Sequence, residues 1–308
     1  MKVVKILAAC ICAAGVAAQS ACSFFGAISY PNAEKYSAGG ASFSSQIDKI
    51  EIDWLSGKVN IAYRSGDGVS ISETSNSALS DDMRVHLWLD GTTLRVKFAA
   101  SGVKTHLFRN ERKELTVALP ENFKLSELIV NAASANVTGE KVRTNKISVS
   151  TASGDIDLSC EAEEIELNSS SGKITLGQKG KASSARINTS SGGVEANFAD
   201  CDKAELNSSS GTVKAVADKV GELSAKTSSG SIYCTLKAAM QGNFYSSSGK
   251  VTLCFSVGFG FKANVSTSSG KLYSDLALKK SGNNYVYGDG SAEINVKTSS
   301  GSVVFKEA

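Results

Sequence analysis

The sequence predicts an all-β protein: a single-chain parallel β-solenoid, or β-helix, with coils of about 19 residues, an N-terminal β cap and a C-terminal hairpin insertion. Three observations predict it. A Ser-Gly step recurs at nearly constant spacing through the second half of the chain. Apolar residues alternate with polar ones on both sides of each step, which is the strand period. The composition, with 28 glycines, two prolines and 7% aromatic residues, favours short strands and tight turns.

The first 21 residues are predicted to be a lipoprotein-type signal peptide. Lys2 and Lys5 form a basic start, an apolar run covers residues 6–18, and small residues precede Cys22. The run is short for a membrane span. Gln-Ser-Ala-Cys, residues 19–22, resembles a bacterial lipobox, which predicts lipid attachment at Cys22 and a tether over residues 22–45. A lipobox normally has Leu, Val or Ile where Gln19 stands, so plain secretion after cleavage at Ala18 is the alternative.

The formal net charge is +3, and both lysines of the signal peptide contribute to it. The mature chain is therefore close to neutral, which excludes the basic stripe that nucleic-acid binding requires. Four cysteines besides Cys22 remain in the mature chain: Cys160, Cys201, Cys234 and Cys254. An even number permits disulfides, and buried free thiols are the alternative. There is no Cys-x-x-Cys pair and there are two histidines, so no metal site and no cofactor are predicted.

Residues 46–125 are predicted to form an N-terminal β cap or irregular first coils. Residues 50–61 show the coil pattern around Ser56 and Gly57. Residues 85–98 alternate in the strand period on both sides of Asp90 and Gly91, which predicts a hairpin. The regular solenoid is predicted to cover residues 126–308. No linker separates it from the cap, so the boundary at residue 126 is a convention.

Eight Ser-Gly steps define the regular coils, and each is assigned a structural turn. The steps are Ser153–Gly154, Ser171–Gly172, Ser191–Gly192, Ser210–Gly211, Ser229–Gly230, Ser248–Gly249, Ser269–Gly270 and Ser300–Gly301. Ser134 and Ala135 form a degenerate earlier copy. One coil cannot bury its apolar side alone, so the coils are expected to stack on one continuous core.

A hydroxyl residue stands three positions before every one of these glycines, as in Thr227 before Gly230. In a stack these residues form ladders that can bond to corner backbone groups. A residue repeated in every coil serves the coil, so the hydroxyls are interpreted as structural rather than as nucleophiles or glycan acceptors. Glycine is expected at the corner for a positive φ or for close backbone approach.

The step between Gly270 and Gly301 is 31 residues long and contains an insertion. Tyr-Val-Tyr at 285–287, Gly-Asp-Gly at 288–290 and the alternating residues 292–296 predict a hairpin. We expect it to cover the edge of the stack near the C-terminus.

Four segments together resemble the bacterial putative-adhesin family of β-solenoid domains. They are Ile-Glu-Ile-Asp-Trp-Leu-Ser-Gly-Lys-Val (50–59), Leu-Thr-Val-Ala-Leu-Pro (115–120), Thr-Ala-Ser-Gly-Asp-Ile (151–156) and Tyr-Gly-Asp-Gly-Ser (287–291). The resemblance covers roughly residues 47–305. It implies an exported or membrane-attached β-solenoid and brings no catalytic residues with it.

A polysaccharide-degrading enzyme is the strongest alternative class, because parallel β-helices host lyases and hydrolases that use clustered acidic residues. The candidates are Asp155, Asp157, Glu161, Glu163, Glu164 and Glu166. Glu164 and Glu166 alternate with apolar residues as an outward polar face does, so a solvated face is the preferred interpretation. Candidate binding aromatics are Tyr245, Phe259, Tyr273, Tyr285 and Tyr287, although the alternation of residues 255–261 indicates a strand with one buried face.

The predicted function is therefore a non-enzymatic cell-surface scaffold, an adhesin or surface-binding lipoprotein. Its predicted partners are the membrane, through the lipid, and a surface glycan or protein ligand. The alternatives are an envelope-stress accessory protein that contacts membrane partners and a polysaccharide-active β-helix enzyme. The predicted location is the cell membrane or cell surface, or the medium if the chain is secreted.

Overall fold

A computed structural model describes residues 26–282 and 284–308 of the chain. The predicted signal peptide and the predicted lipid-attachment residue Cys22 lie outside the described residues. Helical structure in the described part is limited to three 3-10 turns, at Ala33–Lys35, Asp81–Met83 and Thr105–Phe108. Nothing helical in that part has the length and apolarity needed to cross a membrane.

Seven strands precede the regular coils. They are β1 (Ser37–Ala38), β2 (Ala41–Phe43), β3 (Lys49–Arg64), β4 (Val69–Thr74), β5 (His86–Asp90), β6 (Thr93–Lys97) and β7 (Glu114–Pro120). Fifteen strands follow: β8 (Leu125–Thr151), β9 (Ile156–Ser169), β10 (Ile174–Thr189), β11 (Val194–Ser208), β12 (Val213–Ala217), β13 (Val220–Thr227), β14 (Ile232–Leu236), β15 (Ala239–Ser246), β16 (Val251–Phe255), β17 (Phe261–Thr267), β18 (Leu272–Ser274), β19 (Lys279–Ser281), β20 (Asn284–Tyr287), β21 (Ala292–Thr298) and β22 (Val303–Glu307).

The predicted fold class is confirmed: the protein is an all-β parallel solenoid. Equivalent residues of successive coils pair in parallel, so that Ile156 lies beside Ile174 and Ile174 beside Val194. We name each coil by its corner residue. The Ala135, Gly154, Gly172, Gly192, Gly211, Gly230 and Gly249 coils follow one another in chain order. Inward residues such as Leu167, Ile187 and Leu206 are fully buried, so each coil completes the core of its neighbours.

The last two coils are stacked out of chain order. β21 pairs in parallel with β15 on one side and with β17 on the other, and β22 lies between β16 and β18. The Gly301 coil is thus inserted between the Gly249 and Gly270 coils. The long step after Gly270 makes this return possible, because it supplies the chain that runs back past the final coil.

The predicted hairpin of residues 285–287 with 292–296 is wrong in its strand partners. β20 forms its hairpin with β19 and also pairs antiparallel with β17. β21 lies on the other side of β17, so the turn at Gly288 crosses the start of that strand beside Gly260. β20 covers the edge of the Gly270 coil with an antiparallel strand, which protects the end of the stack.

The other end carries a cap of antiparallel strands. β3 forms the Gly57 coil and pairs in parallel with β8, β6 and β7. β5 then lies antiparallel on β6, as the predicted hairpin requires, and β4 lies antiparallel on β7. β1 and β2 add one further strand to each side.

The predicted tether over residues 22–45 does not hold from Gly26 onward. Ile28 and Tyr30 are buried in the core, and the Ile28 amide donates to the carbonyl oxygen of Val103 at 2.8 Å. β1 and β2 belong to the sheet. The abundance of small and polar residues suggested a linker, but a few apolar side chains are enough to pack this segment against the cap.

Candidate functional site

The hydroxyl three positions before the glycine joins the corner to its own coil and to the next one. In the Gly230 coil, the Gly230 amide donates to Thr227 Oγ1 at 3.1 Å. Thr227 Oγ1 in turn donates to the carbonyl oxygen of Gly211 in the preceding coil, also at 3.1 Å. The intracoil bond recurs in all eight Ser-Gly coils, at 2.8–3.1 Å. These hydroxyls are occupied by the backbone, which supports the structural interpretation.

The serines directly before the corner glycines point to solvent. Ser153, Ser171, Ser191, Ser210, Ser229, Ser248, Ser269 and Ser300 are all exposed. The glycines beside them are buried or half-buried, and their φ angles are not positive. A Cβ at these positions would instead overlap the backbone of the adjacent coil. Of the two explanations offered for the corner glycine, close approach applies to these eight, whereas Gly57 of the first coil has φ +92°.

Two buried threonines allow a direct comparison of a satisfied and an unsatisfied hydroxyl. Thr227→Val leaves the Gly230 amide and the Gly211 carbonyl without a partner, and we expect it to lower the free energy of unfolding by about 2 kcal/mol. Thr252 is 4% exposed, and its Oγ1 has no hydrogen-bond partner among the described residues. We expect Thr252→Val to be neutral or stabilising by about 1 kcal/mol. Urea unfolding measures both, and equal losses would contradict the assignment.

The acidic residues considered for catalysis lie on solvated surfaces. Asp155, Asp157, Glu161, Glu163 and Glu164 are exposed, and Glu166 is half-buried. Asp155 Oδ1 accepts the Lys173 amide at 2.7 Å, one coil along the stack. No group of three His, Cys, Asp or Glu side chains suited to a metal ion occurs in the part of the chain that the structure describes.

The five candidate aromatics do not form one patch. Tyr245 lies four residues before its corner, on another side of the coil from Tyr273, which lies three residues after its corner. Phe259 is buried, its ring centroid 5.4 Å from that of Phe255, and is not available to a ligand. Tyr285 and Tyr287 are half-buried in the end strand β20. The alternation of residues 255–261 is interrupted by a turn, where Val257 is exposed.

The structure instead brings Tyr273 into line with Tyr233, which the sequence analysis did not single out. Both lie three residues after their corner glycines, in the Gly230 and Gly270 coils, and are 43% and 55% exposed. Thr252 and Val304 stand between them in the same column. We call the outward residues after the corners of these four coils the tyrosine face. The shared position relative to the glycine is the signal that would have found Tyr233.

Lysines surround this column of side chains. Lys250 and Lys271 lie on the side of the column that is nearer the corner, and Lys306 lies on the opposite side. Lys214 occupies the column position next to Tyr233 in the preceding coil. All four are exposed, and within the described ranges none has a carboxylate within 4.0 Å. Asp275, just after β18, and Glu195, which pairs in register with Lys214, are acidic residues of this area. The tyrosine face is therefore aromatic and net positive.

A shallow depression opens beside Tyr233. It has a volume of about 650 Å³ and is bounded by Lys173, Glu195, Lys214 and Tyr233. Gly193, which has no side chain, and the small Thr212 also line it and leave room next to the tyrosine ring. Lys173 pairs with Glu195 at 2.9 Å, which holds the pKa of that carboxyl below its usual range.

The outward residues before the corners form a second surface, which we call the charged face. Its charges are largely paired with one another: Arg186 and Lys203 contact Glu205 at 3.2 and 3.1 Å, and Lys203 also contacts Glu222 at 3.6 Å. The side-chain amides of Asn168, Asn188 and Asn207 form a ladder in which each donates to the one before it at 2.9 Å. This surface satisfies its own polar groups to a greater extent than the tyrosine face does.

A buried ion pair lies in the N-terminal cap. The Lys113 side chain is fully buried, and its Nζ lies 2.6 Å from Oε1 of Glu73, whose side chain is 7% exposed. The orientation is that of an ion pair rather than an aligned hydrogen bond. Lys113 Nζ also donates to the carbonyl oxygens of Met83 and Phe98. Burial lowers the pKa of Lys113, although Glu73 acts in the opposite direction.

A protein-family profile matches the sequence over most of the stack. The profile of the Toastrack family DUF4097 matches residues 47–259, from the Gly57 coil to the end of the Gly249 coil. The chain belongs to the Toastrack family. No curated protein matches its sequence.

Several solved structures resemble this Toastrack chain. A Parabacteroides distasonis protein described as a putative lipid binding protein is 18% identical with a TM-score of 0.44, over 87% of this chain and 96% of that one. A putative adhesin from Bacteroides fragilis is 13% identical with a TM-score of 0.40, over 87% and 96%. A putative cell adhesion protein from Clostridium sporogenes is 12% identical with a TM-score of 0.28, over 89% and 100%. These similarities concern the chain trace and not the site.

The cysteines of the Toastrack coils are free thiols. Cys160, Cys201 and Cys234 are buried, and Cys254 is half-buried. Burial raises the pKa of Cys160 to about 12 and that of Cys201 to about 11, and it also raises the pKa of Cys234. Of the two possibilities that the sequence left open, the structure has free thiols and not disulfides.

Their reactivity with a thiol reagent should follow this order of burial. At pH 8 the folded protein should be alkylated by iodoacetamide at Cys254 first, because a thiolate forms rarely at the buried sites. Peptide mass spectrometry after short exposure measures this, and unfolding in urea should make all four react alike. Equal labelling of Cys234 and Cys254 in the folded protein would contradict the prediction.

Proposed function

We propose that this protein is a non-enzymatic, exported surface-binding scaffold of the adhesin type, anchored to a membrane by a lipid on Cys22. The observation that carries the proposal is the tyrosine face: exposed rings, and lysines with no carboxylate within 4.0 Å among the described residues, displayed on paired parallel strands. Side chains arranged along such a surface favour recognition of an extended partner. Turnover of a substrate normally uses a concave site with interacting acid and base groups, and Asp155 and Asp157 face solvent instead.

The anchor places the cap next to the membrane. Cys22 is six residues before Ile28, which is packed in the cap, and six residues reach at most roughly 22 Å. The tyrosine face starts six coils beyond the Gly57 coil, roughly 29 Å further along the stack at the spacing of paired strands. A lipid-anchored chain would hold its cap at the bilayer and present the tyrosine face toward the outside.

Two measurements on the full-length protein test the proposal. The first is the mass of the mature N-terminal peptide, which should be a diacylated Cys22, together with release of a Cys22→Ala variant from the membrane fraction. The second is binding of the protein to an array of surface glycans and proteins, with the bound material analysed for cleavage. An unmodified N-terminus beginning at Gln19 would remove the anchor, and release of sugar fragments would replace the binding role with an enzymatic one.

A further inference from the structure

We infer that the tyrosine face binds an anionic polysaccharide whose chain runs along the axis of the stack. The inference rests on the proposed function and specifies its ligand class. It depends on three features that coincide on this face. They are two exposed tyrosines in one column, lysines on both sides of that column that have no carboxylate within 4.0 Å in the described ranges, and the depression beside Tyr233.

The tyrosines supply flat apolar surfaces for sugar rings. Tyr233 and Tyr273 belong to coils three steps apart, so their rings are separated by roughly 14 Å along the stack. The backbone of Tyr233 is fixed by parallel pairing of β14 with a strand on each side. The backbone of Tyr273 is fixed by the pairing of β18 with β22. A tyrosine ring of this kind offers a rigid amphipathic surface at low cost in conformational entropy. Two such surfaces in register suit a linear polymer better than a single small molecule.

The charges select an anion. Lys173, Lys214, Lys250, Lys271 and Lys306 contribute five positive charges to the tyrosine face and its depression, against the two carboxylates of Glu195 and Asp275. The lysines lie on both sides of the tyrosine column, so a chain stacked on the rings would pass between them. Because Lys214, Lys250, Lys271 and Lys306 have no acidic partner within 4.0 Å in the described part of the chain, a ligand carboxylate or sulfate would not have to displace one from them.

The charged face supplies the internal comparison. Tyr245 is 36% exposed there, between Lys226 and Lys297, and therefore has a similar immediate surrounding. It is a single tyrosine, however, and the coils that carry the two lysines also carry an outward glutamate each, Glu222 and Glu293. If one exposed ring beside two lysines were enough for binding, the charged face would bind equally well.

The test uses polygalacturonate, which carries one carboxylate on each sugar, and its fully methyl-esterified form, which has the same backbone without charge. Binding of the full-length protein is measured by retardation in affinity gels and by titration at two salt concentrations. We expect retention by polygalacturonate and little by the ester. Tyr233→Ser with Tyr273→Ser should weaken binding about tenfold, since each stacked ring contributes an appreciable fraction of a tenfold step. Lys250→Gln with Lys271→Gln should weaken it similarly and reduce its salt dependence.

Control variants separate a specific face from general attraction. Tyr245→Ser and Lys226→Gln with Lys297→Gln change the charged face in the same way, and we expect affinity within about twofold of the wild type. Equal losses from both sets of variants, or no loss from the tyrosine pair, would overturn the inference. Binding to anionic lipid vesicles but not to polygalacturonate would also overturn it.

The outcome also distinguishes this inference from the proposed function. If the protein binds neutral glycans or a protein surface through other residues, the binding role stands and the anionic ligand is wrong. If polygalacturonate is bound and cleaved, with new reducing ends released, the non-enzymatic role itself fails.

Discussion

Gly211→Ala should destabilise the solenoid by about 3 kcal/mol or more, whereas Gly177→Ala should leave its stability unchanged or slightly raised. A Cβ built on Gly211 would lie 1.9 Å from the carbonyl oxygen of Gly192 in the adjacent coil. That oxygen belongs to the backbone and cannot rotate away as a side chain can. The methyl group would push two coils apart at the corner, where the hydroxyl of Ser208 bonds to both Gly211 and Gly192.

Gly177 is the matched control because it lies within strand β10 and its φ is not in the positive region. A Cβ there would approach Ser159 at 3.8 Å, an ordinary contact. Urea unfolding of both variants gives the comparison, and circular dichroism shows whether the β content survives. A loss smaller than about 1 kcal/mol for Gly211→Ala would show that the coils can separate easily, and the account of the corner would then be wrong.

The same geometry explains how much of the corner could be predicted from sequence. The frame of hydroxyl, serine and glycine fixed the position of the corner and the inward residues, because the same neighbours surround every copy. The frame identified Ala135 as a degenerate corner but did not explain why an alanine is tolerated there. Its neighbour is Gly57, whose φ of +92° gives that first corner a different backbone conformation. An alanine at this one corner is consistent with that difference, which is a property of the adjacent coil and not of the local sequence.

The stacking order of the last two coils could not be predicted from the repeating pattern. The Gly270 and Gly301 coils carry the same frame, with Thr267 and Thr298 in equivalent positions, so the pattern fits either order. The only irregularity was the length of the segment between Gly270 and Gly301. That length indicated an insertion but did not show where the chain returns to the stack. The tyrosine face depends on that return, because Val304 separates Thr252 from Tyr273 only if the Gly301 coil lies inside the stack.

The buried ion pair of the cap had no sequence signal at all. Lys113 lies among the rings of Trp54, Phe98 and Phe108, with its Nζ 5.2, 4.1 and 5.4 Å from their centroids. These residues come from separate segments without a common period. Sequence patterning detects residues that repeat, whereas this site is assembled once from elements that meet only in the folded cap.

Lys113→Met should be the most destabilising side-chain substitution in the cap, with an expected loss of about 3–5 kcal/mol. It removes the cation from Glu73 and leaves that carboxylate buried without a countercharge. Lys237→Met is the matched control: Lys237 contacts Asp218 at 2.8 Å, but both side chains are about half exposed. An exposed pair is screened by solvent, and its loss should cost less than about 1 kcal/mol.

A double variant separates the uncompensated charge from lost packing. Glu73→Gln with Lys113→Met removes both charges, while the amide oxygen of the introduced side chain still offers an acceptor to the Val85 amide, which in the native protein bonds to Glu73 Oε2 at 3.0 Å. We expect the double variant to recover a large part of the stability lost in Lys113→Met, as measured by a double-mutant cycle in urea. No recovery would mean that the hydrogen bonds of Lys113, rather than its pairing with Glu73, stabilise the cap.

The consequence extends beyond stability, because Lys113 connects the cap to the first coil. Its side chain bonds to Met83 and Phe98, and its backbone carbonyl accepts the Lys58 amide at 3.0 Å. Without the side-chain bonds, the segments that carry β4, β5 and β6 lose a common attachment, and the parallel edge of β3 becomes accessible to another chain. We therefore expect Lys113→Met to associate in a concentration-dependent way, seen by sedimentation velocity. The Lys237→Met variant, whose cap is intact, should remain unchanged over the same concentrations.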